Sequence, residues 1–218
     1  RMNINKHLIL LFSVLFFLFA VSVSSGCFRK NESDVKSVVR NELDQLKNLD
    51  SETTQKYIPY TELFHDATEN TDLTDEINET FSLFFRKFNY KISDVIVGTA
   101  NHSATVSVKL TTIDSKVLAR DFKAELLRTQ ITESAQAQKG NIKDSSRSLE
   151  AHYLILNHLL NTNDYDTAET DCNIQLVNTG NDKKEKWKIQ RTNSLEDDLV
   201  GGLIADLANP DILSPEDT

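Results

Sequence analysis

"FFRKFNYKISDVIVGTANHSATVSVKLTTID", residues 84–114, contains two different apolar spacings. Its first rings belong to a helical repeat that begins upstream. Ile77, Phe81, Phe84, Phe85 and Phe88 stand at i, i+4, i+7, i+8 and i+11, while Asp75, Glu79, Ser82 and Arg86 line the opposite side. Beyond Tyr90 the spacing shortens to two. Ala104, Val106, Val108 and Leu110 alternate with Thr105, Ser107, Lys109 and Thr111, the pattern of a strand with one wet face. "GTANH", Gly98–His102, supplies the turn that pairs this strand with Tyr90–Val97. An amphipathic helix therefore runs into a β-hairpin, and the phenylalanine stripe is expected in the core.

The same reasoning extends outward. Downstream, Ala168, Cys172, Ile174 and Leu176 face one way, and Trp187 with Ile189 follows the turn "TGNDKKEK", residues 179–186, giving a second hairpin. Between the hairpins, a helix from Ser115 carries Leu118, Phe122 and Leu126. It is expected to fade into the polar, mobile stretch "TESAQAQKGNIKDSSRS", residues 132–148, before another helix from Ser146 to Leu160. Upstream, Ser33 or Asp34 is expected to cap a helix with Val35, Val38, Val39, Leu43 and Leu46 on one face. "DSETTQKYIPYTELFHD", residues 50–66, reads as short helical turns broken at Pro59. A last helix spans Leu195–Leu207 and stops before Pro210, with Gly201–Gly202 marking a kink or close packing. Segregated helices and hairpins imply an α+β fold: a curved antiparallel sheet of about four strands packed against several helices, with a helical insertion between the hairpins.

The first 26 residues read differently. Arg1 and Lys6 precede the apolar run "LILLFSVLFFLFAV", Leu8–Val21, and no acid occurs before Cys27. This is the composition of a secretory signal, and the run is shorter than the roughly 20 residues a spanning helix needs. Small residues follow, then "SSGC", residues 24–27, which resembles the lipobox of bacterial lipoproteins. By that resemblance Cys27 takes a diacylglyceryl group and becomes the lipid-anchored first residue of the mature chain, on the extracytoplasmic face of the cell membrane. Ser24 departs from the leucine commonest at that position. Plain secretory cleavage, with Cys27 left to pair with Cys172, is the competing reading. The expected organisation is a signal peptide at 1–26, a short tether at 27–32, one domain at 33–208 and a frayed acidic tail at 209–218.

Removing Arg1 and Lys6 takes the formal charge from −9 to −11. Such a body has no electrostatic affinity for nucleic acid or for an anionic membrane surface. Two cysteines in 218 residues are too few for a disulfide-stapled scaffold, so an apolar core must hold the domain together.

From "FFRKFNYKISDVIVGTANHSATVSVKLTTID" and the later "EKWKIQ", residues 185–190, the chain resembles Gram-positive lipoproteins with a nuclear-transport-factor-2-like, cystatin-like domain. The resemblance covers most of Ser33–Arg191 and implies a curved sheet wrapped around helices as a cone. It carries no catalytic motif.

Chemistry is sparse in the residues themselves. His65, His102, His152 and His158 lack the spacing that places two metal ligands on one helix face, and no metal or other cofactor is expected. His152 falls inside the apolar arc of Leu149, Tyr153, Ile155, Leu156 and Leu159. It is either a core histidine or a polar group in a pocket inside the cone, where enzymes of this fold place acid–base residues. Cys172, on the apolar side of its strand, reads as an inert buried thiol. "TDLTDE" and "LEDD" read as helix N-terminal charge rather than paired catalytic carboxylates. Asn31, Asn78 and Asn101 head glycosylation-type triplets, which mean little if the source is bacterial, as the lipobox resemblance implies. No catalytic residue is assigned. The expected role is non-catalytic binding of a protein or envelope partner. The alternatives are a ligand-binding or enzymatic cone pocket, and an inhibitor or immunity-type lipoprotein.

Overall fold

The computed structural model describes residues 31–58, 63–64, 73–98, 100, 102–138, 148–181 and 184–213. Helix α1 covers residues 31–47, followed by α2 (Ser51–Tyr57) and α3 (Thr74–Phe84), which tightens into a 3-10 turn at Phe85–Lys87. Strands β1 (Asn89–Val97) and β2 (Ser103–Ile113) form the first hairpin. Helices α4 (Ser115–Ala137) and α5 (Leu149–Thr162) intervene before β3 (Thr167–Asn178) and β4 (Trp187–Ile189), and α6 (Asn193–Leu199) and α7 (Leu203–Ala208) follow. The strands make one open antiparallel sheet in the order β1-β2-β3-β4. The fold is α+β, with two helices inserted between the hairpins.

Central strand β2 sets the two faces of the sheet. Ala104, Val106, Val108 and Leu110 are buried, and they pair with Leu176, Ile174, Cys172 and Thr170 of β3. The other face is wet and cross-linked by polar pairs: Thr105 Oγ1 donates to Gln175 Oε1 (2.9 Å) and Ser107 Oγ to Asn173 Oδ1 (2.9 Å). Strand β1 needs a correction of register to join this pattern. Tyr90 and Ile92 pair with Leu110 and Val108, yet Val95 and Val97 pair with Val106 and Ala104. An even-numbered and an odd-numbered pair share one face only because the ladder shifts between Ile92 and Asp94, leaving Ser93 as the extra residue. Its hydroxyl donates to Ser107 O (3.1 Å). Without that bulge Ile96, which is 60% exposed, would turn inward in place of Val95 and Val97.

Against the dry face sits one continuous core running from Val35 to Ile212. The phenylalanine stripe is its densest part. Phe84 and Phe88 each meet Phe85 edge-on at 5.3 Å, and Phe81 reaches Tyr153 of α5 at 6.3 Å between ring centres. The α-helix ends at Phe84 rather than at Phe88, but the 3-10 turn keeps Phe85 and Phe88 pointing inward.

Several boundaries differ from the sequence expectation. Helix α1 is already formed at Asn31, which is buried, so neither Ser33 nor Asp34 caps it and the tether expected at 27–32 loses its last two residues. Helix α4 does not fade after Leu126 but continues to Ala137. Its outer turns are rich in good helix formers and carry a Glu125–Arg128 ion pair, so local propensity extends it without apolar anchors. Residues 139–147 of the stretch expected to be mobile lie outside the described residues. Helix α5 starts at Leu149 instead of Ser146, because Ser148 Oγ accepts from Ala151 N (3.1 Å) as its cap. The tail is packed as far as Ile212, which is 3% exposed, so fraying cannot begin at 209.

The single helix expected over Leu195–Leu207 is two. Gly201 and Gly202 adopt φ of 65° and 87°, a left-handed pair that separates α6 from α7. Gly201 also lies against the end of β2: a Cβ there would stand 2.2 Å from Thr112 Oγ1. Gly201→Ala is therefore expected to cost roughly 2–4 kcal/mol, from left-handed strain plus overpacking. Urea unfolding measures it, and a loss below about 0.5 kcal/mol would mean that the α6–α7 corner is not held against Thr112.

Candidate functional site

Cys27, the expected lipid-attachment residue, lies outside the described residues, as does His65. His102 and His158 are exposed and far apart in the fold, on the β1–β2 turn and on α5. Among the described residues no group of three or more His, Cys, Asp or Glu side chains converges as a metal site.

His152 is in the first turn of α5, its backbone N–H donating to Ser148 O (3.2 Å). The residue is 8% exposed and its ring packs against both Phe64 and Phe122, with centroids at 4.9 Å and 5.6 Å. Phe64 in turn stacks on Phe122 (5.2 Å) and meets Tyr153 edge-on (5.2 Å). The apolar arc around His152 is thus present, with Leu149, Tyr153, Leu156 and Leu159 all buried. Rings fill the space at that point where the alternative reading placed a pocket, so the imidazole packs as a core member, the first of the two readings.

Cys172 is buried on β3, and its thiol is pushed up to about 12, first by burial and then by the neighbouring Asp198. A thiol held in its neutral form is a poor nucleophile. Acidic groups gather where α6 and α7 meet the sheet. Burial raises both Asp198 and Asp206 above the ordinary carboxylate range; for Asp206 the Ser115 contact opposes the shift and Asp197 adds to it. Ser115 Oγ, on the first residue of α4, lies in hydrogen-bond contact with Gly201 O and 3.0 Å from Asp206 Oδ2. The one hydroxyl proton of Ser115 is shared between these two acceptors.

A cleft opens between α1 and the β1 edge. It encloses about 310 Å³ and is lined by Lys36, Arg40, Asp44, Lys47, Asn89, Tyr90 and Ile92. Lys47 Nζ donates to Asn89 Oδ1 (2.9 Å), and the Tyr90 hydroxyl donates to Asp44 Oδ1 (2.6 Å), joining helix to strand. Burial, then Asp44, pushes the Tyr90 hydroxyl up to about 12, so it remains a donor at neutral pH. The sequence reading did not find this cleft. Its one local signal was the cation spacing on α1; the strand residues lie some forty positions away and come together only through tertiary folding.

No family model matches this chain, and no curated protein or solved structure is similar to it.

Two outcomes test these assignments. The Asp206 carboxyl has a folded-state pKa above its ordinary 3.8, so its contribution to stability is full below that value and is lost as pH rises through the folded one. Lowering pH from about 7 to 3.8, the carboxyl's ordinary value, should stabilise the wild type relative to Asp206→Asn, measured by urea unfolding of both chains. Equal gains would remove Asp206 from the account. For His152, substitution by leucine should change stability by less than about 1.5 kcal/mol, as expected of a filler of similar volume. A folded His152→Leu chain that reproduces the phenotype of gene deletion would contradict the packing role.

Proposed function

We propose that this chain is an extracytoplasmic lipoprotein, held at the cell membrane by an acylated Cys27, whose folded body is a non-catalytic binding module. The observation that carries the reading is the α1–β1 cleft. It is open and ionic, and it lies on the helix that follows Cys27 in the chain. The ionisable groups inside the body point the same way. His152 is packed against two rings, and the Cys172 thiol is held neutral. General acid–base or nucleophilic chemistry needs such groups reachable and poised near the working pH.

The kinship with nuclear-transport-factor-2-like, cystatin-like domains belongs to the same proposal. An antiparallel four-stranded sheet with its helices against one face is compatible with that cone. The apolar run before "SSGC" supports the anchor through its composition. Among the described residues no helix is long and apolar enough to cross a membrane.

The anchor is tested by replacing Cys27 with serine and following membrane fractionation and metabolic acyl labelling. The wild type should carry label and sediment with membranes; Cys27→Ser should carry none and be released or retained as precursor. A labelled variant, or a wild type without label, would sink the lipoprotein reading in favour of plain secretion or an uncleaved helix.

A further inference from the structure

We propose that the cleft between α1 and β1 binds an anionic phosphate group, with the phosphodiester headgroup of an anionic lipid as its source. The choice of lipid rests on the anchoring of Cys27 proposed above; the phosphate chemistry rests on the cleft alone.

The cations are arranged against the charge of the whole chain. Lys36, Arg40 and Lys47 occupy i, i+4 and i+11, which at about 100° per residue confines them to an arc of roughly 40° on α1. Three positive groups and one negative, Asp44, leave the cleft at +2 in a chain of −9. Among the described residues no ion pair includes Lys36 or Arg40. Lys47 is fixed by Asn89, a neutral acceptor that orients the ammonium without cancelling its charge. The Asp44 carboxylate accepts the Tyr90 hydroxyl, which draws it towards the strand.

The donor set selects the ligand class. A guanidinium fork flanked by two ammonium groups offers more cationic donors than the two oxygens of a carboxylate use well, and suits the oxygens of phosphate. A cleft of about 310 Å³ is at the small end for ligand sites, the scale of a headgroup. Reach is set by covalent geometry. From Cys27 to Asn31 the chain spans at most about 14 Å, and helical rise adds about 8 Å to Lys36. An acylated Cys27 would thus hold the first cation within roughly 20 Å of the bilayer. The net charge opposes attraction to an anionic surface from a distance, so the cleft needs that tether to raise the local headgroup concentration.

The experiment follows lysine acetylation site by site by mass spectrometry, using the full chain. It is placed in nanodiscs of phosphatidylcholine alone or with added phosphatidylglycerol, and separately in detergent with glycerol 3-phosphate. Phosphatidylglycerol should slow acetylation of Lys36 and Lys47 several-fold while Lys188 on β4 is unchanged, and Arg40→Gln should weaken the effect roughly fivefold. Slowing by glycerol 3-phosphate with none from phosphatidylglycerol keeps the phosphate site and moves its ligand to solution. Equal slowing in both discs, equal slowing of Lys188, or no slowing in either arm overturns the proposal. Because the glycerol 3-phosphate arm also runs with Cys27→Ser, failure of the anchor and failure of the cleft give different results.

Discussion

One face of the sheet is wet, and the rest of the structure follows from that. The polar ladder of Thr105, Ser107, Gln175 and Asn173 cannot be covered cheaply, so every apolar helix face must find its burial on the other side. There the large rings are concentrated. Phe81, Phe84, Phe85 and Phe88 from α3 and its terminal turn reach Tyr153 of α5 through Phe81, and Phe64 links Tyr153 to Phe122 of α4. Rings of that size interdigitate densely and leave little free space. The interior near His152 is therefore filled, and the open cleft lies instead at the margin, between α1 and the β1 edge.

Much of this was readable because its signals are local. The stripe from Ile77 to Phe88 and the alternation from Ala104 to Leu110 each lie within a dozen residues, and both elements are in place. What escaped depended on partners distant in sequence. In "YKISDVIV" the inward residues change from even to odd numbers, which on inspection demands an extra residue near Ser93. The run was simply apolar enough to pass as one strand. The Gly201–Gly202 pair was visible as a disturbance, but a full break required the close approach of Thr112, nearly ninety residues earlier. Helix α1 begins before its expected cap because the burial of Asn31 is a tertiary fact. Helix α4 runs past its last apolar anchor for the converse reason: propensity alone carries exposed turns when nothing opposes it.

The candidate site was harder to read than the fold. Helical periodicity placed His152 correctly on the apolar face of α5, but no periodicity reports whether such a face looks onto a cavity or onto Phe64 and Phe122. The cleft posed the opposite problem. Lys36, Arg40 and Lys47 look in isolation like the solvated flank of an amphipathic helix, the ordinary fate of lysine and arginine beside a buried stripe. Their meaning changes only when Asn89 and Tyr90 arrive from β1 to close the other wall.

Charge and topology then bear on one another. An acidic body keeps itself in solution and away from anionic surfaces, which suits an exported domain but works against any site for an anion. Placing the opposing cations on the first described helix confines the exception to the part of the chain covalently closest to Cys27. A tethered site can be weak, because the anchor removes most of the translational cost of each encounter. On the proposed anchoring, three cations with one carboxylate among them need only orient the body at a surface, not draw an untethered acidic protein to it.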